Sequence, residues 1–328
     1  MLSERKAAIL QAVVEGYIST SEPIGSGHIV QRAGLDVSSA TVRAEMGALE
    51  EAGYLQQPHT SAGRVPSEKG YRYFVDSLME PHTLGRTQQR KVSSFFAAAQ
   101  GELERMLADT SSFLAQLTDY AAVVVGPPAE LSPLRAVQVV RLAPDQAMIV
   151  LVHSNAVIDK RLVDIDAATD DDTLEEASAL LVARHVEGRE PNRGAAPEVL
   201  DLVGDLEASL SETHDETPVY VGGTSTVAGI FDAVEQIQEV LRVLEKQYLV
   251  VTLVKDIIDR GMDVAIGSET GVEPLAECSL VVAPIQVDGQ STGSIGLLGP
   301  THMNYPQAMA TVAAVSQQLS DRLREGTR

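Results

Sequence analysis

A chain of 328 residues with 44% hydrophobic and 22% charged side chains holds material for two or three domains with their own cores, which excludes wholesale disorder. Its single cysteine, Cys278, excludes an intrachain disulfide framework and fits a reducing cytosol. The net charge of −21 argues against a protein coated in cations, yet residues 1–91 balance ten Lys+Arg against ten Asp+Glu, so residues 92–328, with 15 basic and 36 acidic side chains, carry the whole excess. A neutral N-terminal part can face phosphate where an acidic bulk would be repelled, and Arg43, Arg64, Lys69 and Arg72 are the cations available for it.

Met1 to Lys6 shows no signal-peptide core, and apolar runs such as Leu249 to Val254 fall far short of the ~20 residues of a membrane span. The expectation is a soluble, cytoplasmic protein with no membrane partner.

Ser3 caps a first predicted helix whose apolar stripe is Ile9, Leu10, Val13, Val14 and Tyr17. The segment Ser19 to Gly25, with Pro23, breaks it. Ser26 opens a short second helix that Gly34 ends, and a turn over Leu35 to Ser38 leads to a third. This is helix-turn-helix spacing. In the third helix Val42, Met46 and Leu49 share the core face, so Ser39, Ala40, Arg43, Ala44 and Gly47 lie outside, with Thr41 on the flank and Ser38 at the cap. Small and hydroxyl residues let a backbone approach phosphate, and an Arg forks onto guanine. On the helix alone, a cap and a solvated charge explain Ser38 and Arg43 equally well.

The next stretch shifts the balance. Gly53 to Gln57 and Arg64 to Pro66 read as short strands around a polar tip, His59, Thr60 and Ser61, with Gly63 supplying an awkward backbone angle. A hairpin behind a recognition helix is the wing of a winged-helix DNA reader, and places Arg64 on the return strand beside a phosphate or minor groove. Ser67 to Val75 begins another helix, with Lys69 near the wing and Tyr71 and Phe74 as packing aromatics.

Val92 to Leu117 reads as one long helix. Strand-like runs follow at Ala136 to Leu142, Ala147 to His153 and Ala156 to Ile165, separated by turn chemistry, and form an antiparallel meander. Helices are expected over Asp172 to Val186, Glu198 to Ser211 and Phe231 to Arg260. Strands return at Met262 to Ile266, Ser279 to Val287 and Gly293 to Leu298, the last two joined at Asp288-Gly289, before a final helix from Tyr305 to Leu323. Sheet, helical block, sheet and helix suggest one α+β domain interrupted by another.

Candidate chemistry is thin. Gly222-Gly223-Thr224-Ser225 lacks the Lys of a phosphate loop and reads as a tight turn and helix cap. The acidic run from Asp164 to Glu176 lacks the alternation of a calcium loop and suits the first turns of a helix. The histidines form no ligand-like pair, and no nucleophile, base and acid stand in a recognisable context. Neither an enzyme nor a metal or cofactor site is expected.

Val37-Ser38-Ser39-Ala40-Thr41-Val42-Arg43 and Gln57-Pro58-His59-Thr60-Ser61-Ala62-Gly63-Arg64-Val65-Pro66 resemble hallmark stretches of the heat-inducible transcription repressor family HrcA. Lys69 to Arg72, Val75 to Met79, Val221 to Ser225, Ile266 to Glu269 and Ile295 to Thr301 are similar to family blocks too, so the resemblance spans nearly the whole chain except about Thr169 to Glu216. One departure is Ala44, where the family pattern carries an Asn; an adenine reader is either lost outright or replaced by an apolar contact for a thymine methyl.

The resemblance implies a multidomain α+β protein: a winged helix over 1–78, a linker helix region over 79–118, a GAF-like α+β domain over 119–168 and 262–328, and an inserted, mostly helical dimerisation domain over 169–261. It also implies repression of chaperone operons by a homodimer on a double-stranded inverted-repeat operator, the CIRCE element, with a GroEL-type chaperonin keeping the repressor active. A milder form keeps the repressor and makes the GAF-like domain a small-molecule sensor.

Overall fold

In the computed structural model, residues 2–32, 37–59, 62–80, 82–98, 103–127, 134–153, 158–189, 195–211, 217–227, 234–287 and 289–326 are described. The N-terminal unit holds α1 (Glu4–Thr20), α2 (Ser26–Arg32), α3 (Ser39–Glu51), a two-residue pair of strands β1 (Leu55–Gln56) and β2 (Val65–Pro66), and α4 (Glu68–Tyr73), which runs on into a widened turn over Phe74–Leu78. Ser3, Ser38 and Ser67 each cap a helix, accepting from the amides of Lys6, Thr41 and Gly70. Ile9, Leu10, Val13, Val14, Ile29, Val42, Met46 and Leu49 are buried together, as helical periodicity predicts.

The expected long helix is instead two, α5 (Arg86–Ala98) and α6 (Leu103–Thr118). Phe95 and Phe113 stack with ring centroids 4.2 Å apart. In one straight helix their eighteen-residue separation would put them about 27 Å apart, so the chain doubles back. A continuous reading ignored what Gly101, between them in sequence, costs a helix. This region is tied to the body, where Arg322 of the C-terminal helix donates to the Phe96 carbonyl at 2.9 Å.

β3 (Ala121–Val125) is a strand that alternation could not reveal, since all five residues are buried. Next come β4 (Leu134–Ala143), β5 (Gln146–His153) and β6 (Ile158–Asp164), then α7 (Asp171–His185) and α8 (Pro197–Ser211). The chain continues with β7 (Val219–Gly222), the short α9 (Thr224–Val227), α10 (Val234–Glu245) and α11 (Gln247–Asp259). It finishes with β8 (Val264–Ile266), β9 (Cys278–Val287), β10 (Gln290–Pro300) and α12 (Tyr305–Gly326).

Hydrogen bonding redraws the expected division. An antiparallel five-stranded sheet runs β7-β3-β10-β9-β8, whereas β4, β5 and β6 form their own three-stranded sheet. Ala147, Ile149 and Leu151 of that meander pack on Leu174, Leu181, Val199 and Leu206 of α7 and α8 in a separate core. The interruption thus comprises the meander with α7 and α8, over 134–211, not the helices over 169–261. β7 is an edge strand of the main sheet, and α10 and α11 pack on its face. A meander pattern says which strands neighbour in sequence, not which sheet they join.

Alternate residues of the main sheet feed two layers. Ala122 and Val124 face α12 and the core of the N-terminal unit, while Ala121, Val123 and Val125 face α10 and α11. The core on the first face is continuous from Ile9 in α1 to Leu319 in α12, so the N-terminal unit is packed on the body.

Candidate nucleic-acid interface

The outer face of α3 is built as its periodicity requires. Ser38, Ser39, Ala40, Arg43 and Ala44 are exposed, Thr41 is half-buried, and Val42, Met46 and Leu49 are buried beneath them. Ser38 serves the cap: its Oγ accepts from Thr41 N–H at 3.1 Å and lies 3.0 Å from Thr41 Oγ1. Ser39 Oγ is 2.9 Å from Ser26 Oγ, tying the first turn of α3 to the start of α2. Sequence spacing alone did not mark Ser26 for that role.

The wing is present, and its glycine has a different reason from the expected one. β1 and β2 pair antiparallel, Leu55 opposite Pro66 and Gln56 opposite Val65. Ile24 and Arg64 exchange both backbone hydrogen bonds at 2.9 Å, so the link between α1 and α2 acts as a third strand. Gly63 does not hold a left-handed angle. Instead, a β-carbon there would stand 2.5 Å from the Ile24 carbonyl carbon and closer still to its oxygen. Close backbone approach, not turn geometry, demands glycine.

At the tip, Ala62 N–H donates to the His59 carbonyl at 2.9 Å and Gln57 Nε2 donates to the Ala62 carbonyl at 3.0 Å. His59 is exposed. Thr60 and Ser61 lie outside the described residues.

The cations are not equivalent. Arg43 is exposed on the outer face of α3. Arg64 reaches back to α3, with Nη2 2.8 Å and Nε 2.9 Å from Glu50 Oε2. Lys69 donates to the Ala52 carbonyl at 2.8 Å and stands 4.5 Å from the centre of the Tyr54 ring. It remains at the surface, but its first role is to close the C-terminal end of α3. Arg72 turns away altogether, toward Glu269 and the Val264 carbonyl of the body. A phosphate-facing role for Arg72 is therefore withdrawn.

Between the start of α2, the side of α3 and the wing lies a polar cleft of about 500 Å³, lined by Gly25, Ser26, Arg43, Gln57 and Arg64 among others. Among the described residues, the arrangement presents the exposed Arg43 guanidinium and hydroxyl groups beside the β1–β2 hairpin. It has no general base or nucleophile pair. Among the described residues no cluster of His, Cys, Asp and Glu suits a metal, and no helix is long and apolar enough to cross a membrane.

A family model described as "HrcA protein C terminal domain" matches residues 104–309. The "Heat-inducible transcription repressor HrcA" of Pelotomaculum thermopropionicum is 35% identical over 357 aligned positions, covering 99% of each chain. That of Nocardia farcinica is 36% identical over 339, covering 98% of this chain and 97% of its own. A crystal structure described only as a hypothetical protein at 2.2 Å resolution shares the fold, with TM-score 0.68 at 20% identity over 99% of this chain and 100% of that one.

Proposed function

The chain belongs to the HrcA family of heat-inducible transcription repressors, and from that premise we propose that it represses chaperone operons by binding the CIRCE inverted repeat as a homodimer. The observation that carries the reading is the α3 outer face: Ser39, Ala40, Arg43 and Ala44 exposed beside a wing that ends in exposed His59. Arg43 reads a base edge, Ala44 meets a thymine methyl, and Ser38, Thr41 and the α3 amides contact phosphate. Arg64 and Lys69 hold the wing and the C-terminal end of α3 and add positive potential, with Thr60 and Ser61 completing the wing contact.

A homodimer is supported by the open face of the meander. On the side away from α7 and α8, Val140, Met148 and Leu162 lie in one cross-strand row and Ala136, Val152 and Ile158 in another. Leu162 is 63% and Ile158 40% exposed. The row between the two is Gln138, Val150 and Lys160, so the face is mixed, with apolar rows on either side of a polar centre. Exposed apolar rows of this kind suit a second copy of the chain across a twofold axis. Two readers double the phosphate contacts available to a protein whose bulk is acidic.

The five-stranded sheet, with helices on both faces, is the GAF-like body in this reading, and the meander with α7 and α8 is the dimerisation insert. The protein works in the cytoplasm without catalysis or cofactor, and a GroEL-type chaperonin keeps it competent until unfolded clients compete for it. Small-molecule control has weaker support, an open cleft of about 620 Å³ between β7 and α10 that mixes Val219, Val221, Leu241 and Leu244 with Thr224, Ser225, Glu245 and Gln247.

The test is an anisotropy titration of the full chain against the inverted repeat and a scrambled duplex at physiological salt, with and without chaperonin. Preference for the repeat, increasing with chaperonin, is expected; equal binding to both duplexes overturns the reading.

A further inference from the structure

Two segments almost two hundred residues apart in sequence meet where α4 docks on the body. Arg72 forks onto Glu269: Nε donates to Oε1 at 2.9 Å, and Nη2 pairs with Oε2 while also donating to the Val264 carbonyl at 2.7 Å. Glu269 is itself fixed, accepting from the Ile266 amide at 2.9 Å, and Asp76 takes the remaining side of Arg72 at 3.1 Å. One turn earlier, Glu68 accepts from the Ser268 amide at 3.1 Å and from its hydroxyl at 2.6 Å. Carboxylate and guanidinium are only 29% and 24% exposed, and their bidentate geometry fixes direction as well as distance.

The body loop is shaped for this contact. Gly267 has φ of +55°, and a β-carbon there would lie 2.6 Å from Glu68 Cδ and 3.0 Å from the Ala276 carbonyl. Aromatic contacts complete the seam, with Tyr17 edge-on to His302 at 5.8 Å and Tyr71 tilted against Tyr305 at 5.9 Å. Tyr71 Oη is buried there without a hydrogen-bond partner. Desolvation of that hydroxyl opposes docking, while the continuous apolar core draws the two parts together without direction and the polar clamp adds a directional constraint on their angle. The clamp also leaves the α3 face and His59 exposed, so it does not mask the reader.

We infer that Arg72 and Glu68, gripping Glu269 and Ser268, are positioning residues that set the angle of each DNA reader on the body and thereby the half-site spacing a dimer accepts. They touch no DNA in this scheme. The inference rests on the proposed homodimeric operator binding, because a fixed angle matters only when two readers must engage together.

Arg72→Gln and Glu68→Gln, separately and combined, test it in the full chain. Two readouts are needed: affinity for a single half-site and for inverted repeats whose spacer is lengthened by about 5 base pairs, half a helical turn. Half-site affinity is expected to stay at the parent's value. Affinity for the natural spacing is expected to fall about tenfold, and the penalty for the longer spacer, about a hundredfold in the parent, to shrink to about tenfold or less. A variant that keeps the parent's full spacing penalty overturns the inference.

Spin labels at the exposed positions of Glu22→Cys and Lys255→Cys, in chain diluted with unlabelled protein, read the angle without DNA. A narrow distance distribution in the parent that broadens in the double variant is expected. An unchanged width overturns the clamp. If the parent shows no preference for any inverted repeat, the operator reading falls, and the distance distribution alone still decides whether the clamp orients the reader.

Discussion

Gly63 lies directly against Ile24, with a β-carbon at 63 placed 2.5 Å from the Ile24 carbonyl carbon. Both neighbours are backbone, so neither a rotamer change nor a small side-chain shift relieves the clash. Gly63→Ala therefore has to part the wing from the α1–α2 link and stretch the two 2.9 Å hydrogen bonds between Ile24 and Arg64. A loss of about 1–3 kcal/mol is expected, with operator affinity falling alongside. Thermal unfolding and a binding titration on the same preparation check it; an unshifted melt would show that the wing moves freely.

Arg43 is the exposed cation of the α3 face. Arg43→Ala is expected to cost about 1–3 kcal/mol of operator binding and to leave stability within about 0.5 kcal/mol. Ala44→Asn, one residue on, is expected to change base preference at a single position without altering the melt. Titration against single-base operator variants measures both.

Leu162 sits in the row Val140, Met148 and Leu162 on the open face of the meander. Because it is 63% exposed in one chain, Leu162→Glu leaves the monomer fold unharmed. Buried between two copies, the same carboxylate would be desolvated without a partner. Sedimentation is expected to report a dimer for the parent and a monomer for the variant, with full-operator affinity down at least about a hundredfold. A variant that stays dimeric moves the interface elsewhere.

Burial beside Tyr17 pushes the His302 pKa below its ordinary 6.5. The unfolded chain therefore binds this proton more readily than the folded one, so stability rises with pH through that window. The contribution is complete above pH 6.5 and is lost as pH falls below it. His302→Gln is expected to flatten the decline of the melting temperature between pH 6.5 and pH 5. An identical slope in parent and variant would place the acid sensitivity elsewhere.

Cys278 is 1% exposed, and burial with the nearby Glu277 carboxylate pushes its thiol up to about 12. Against the ordinary value of 9.0, its thiolate fraction is lowered roughly a thousandfold. A thiol reagent at neutral pH is expected to leave the native chain untouched and to label it only as the body opens. Labelling rate against temperature thus separates thermal opening of the body from loss of DNA binding; rapid labelling in the cold would contradict the burial.

The winged helix was legible in the sequence because its signals are local. The periodicity of Val42, Met46 and Leu49 fixed which face of α3 is exposed, and Ser38 and Ser67 announced helix starts through hydrogen bonds spanning three residues. Strands β4, β5 and β6 were visible for the same reason, as runs between turns. β3 was not, because a strand buried on both faces has no alternation to read.

What the sequence by itself determined was the identity of most elements, the placing of the acidic excess after residue 91, and which residues of α3 face outward. Tertiary structure alone decided the rest. It put the meander on α7 and α8 instead of the main sheet, folded α5 back on α6, and assigned Gly63 to Ile24. It also turned Arg72 from a candidate phosphate contact into a grip on Glu269. A helix period or a cap depends on neighbours within one turn, whereas partner choice between Arg72 and Glu269 depends on how whole layers pack, information that no window of sequence contains.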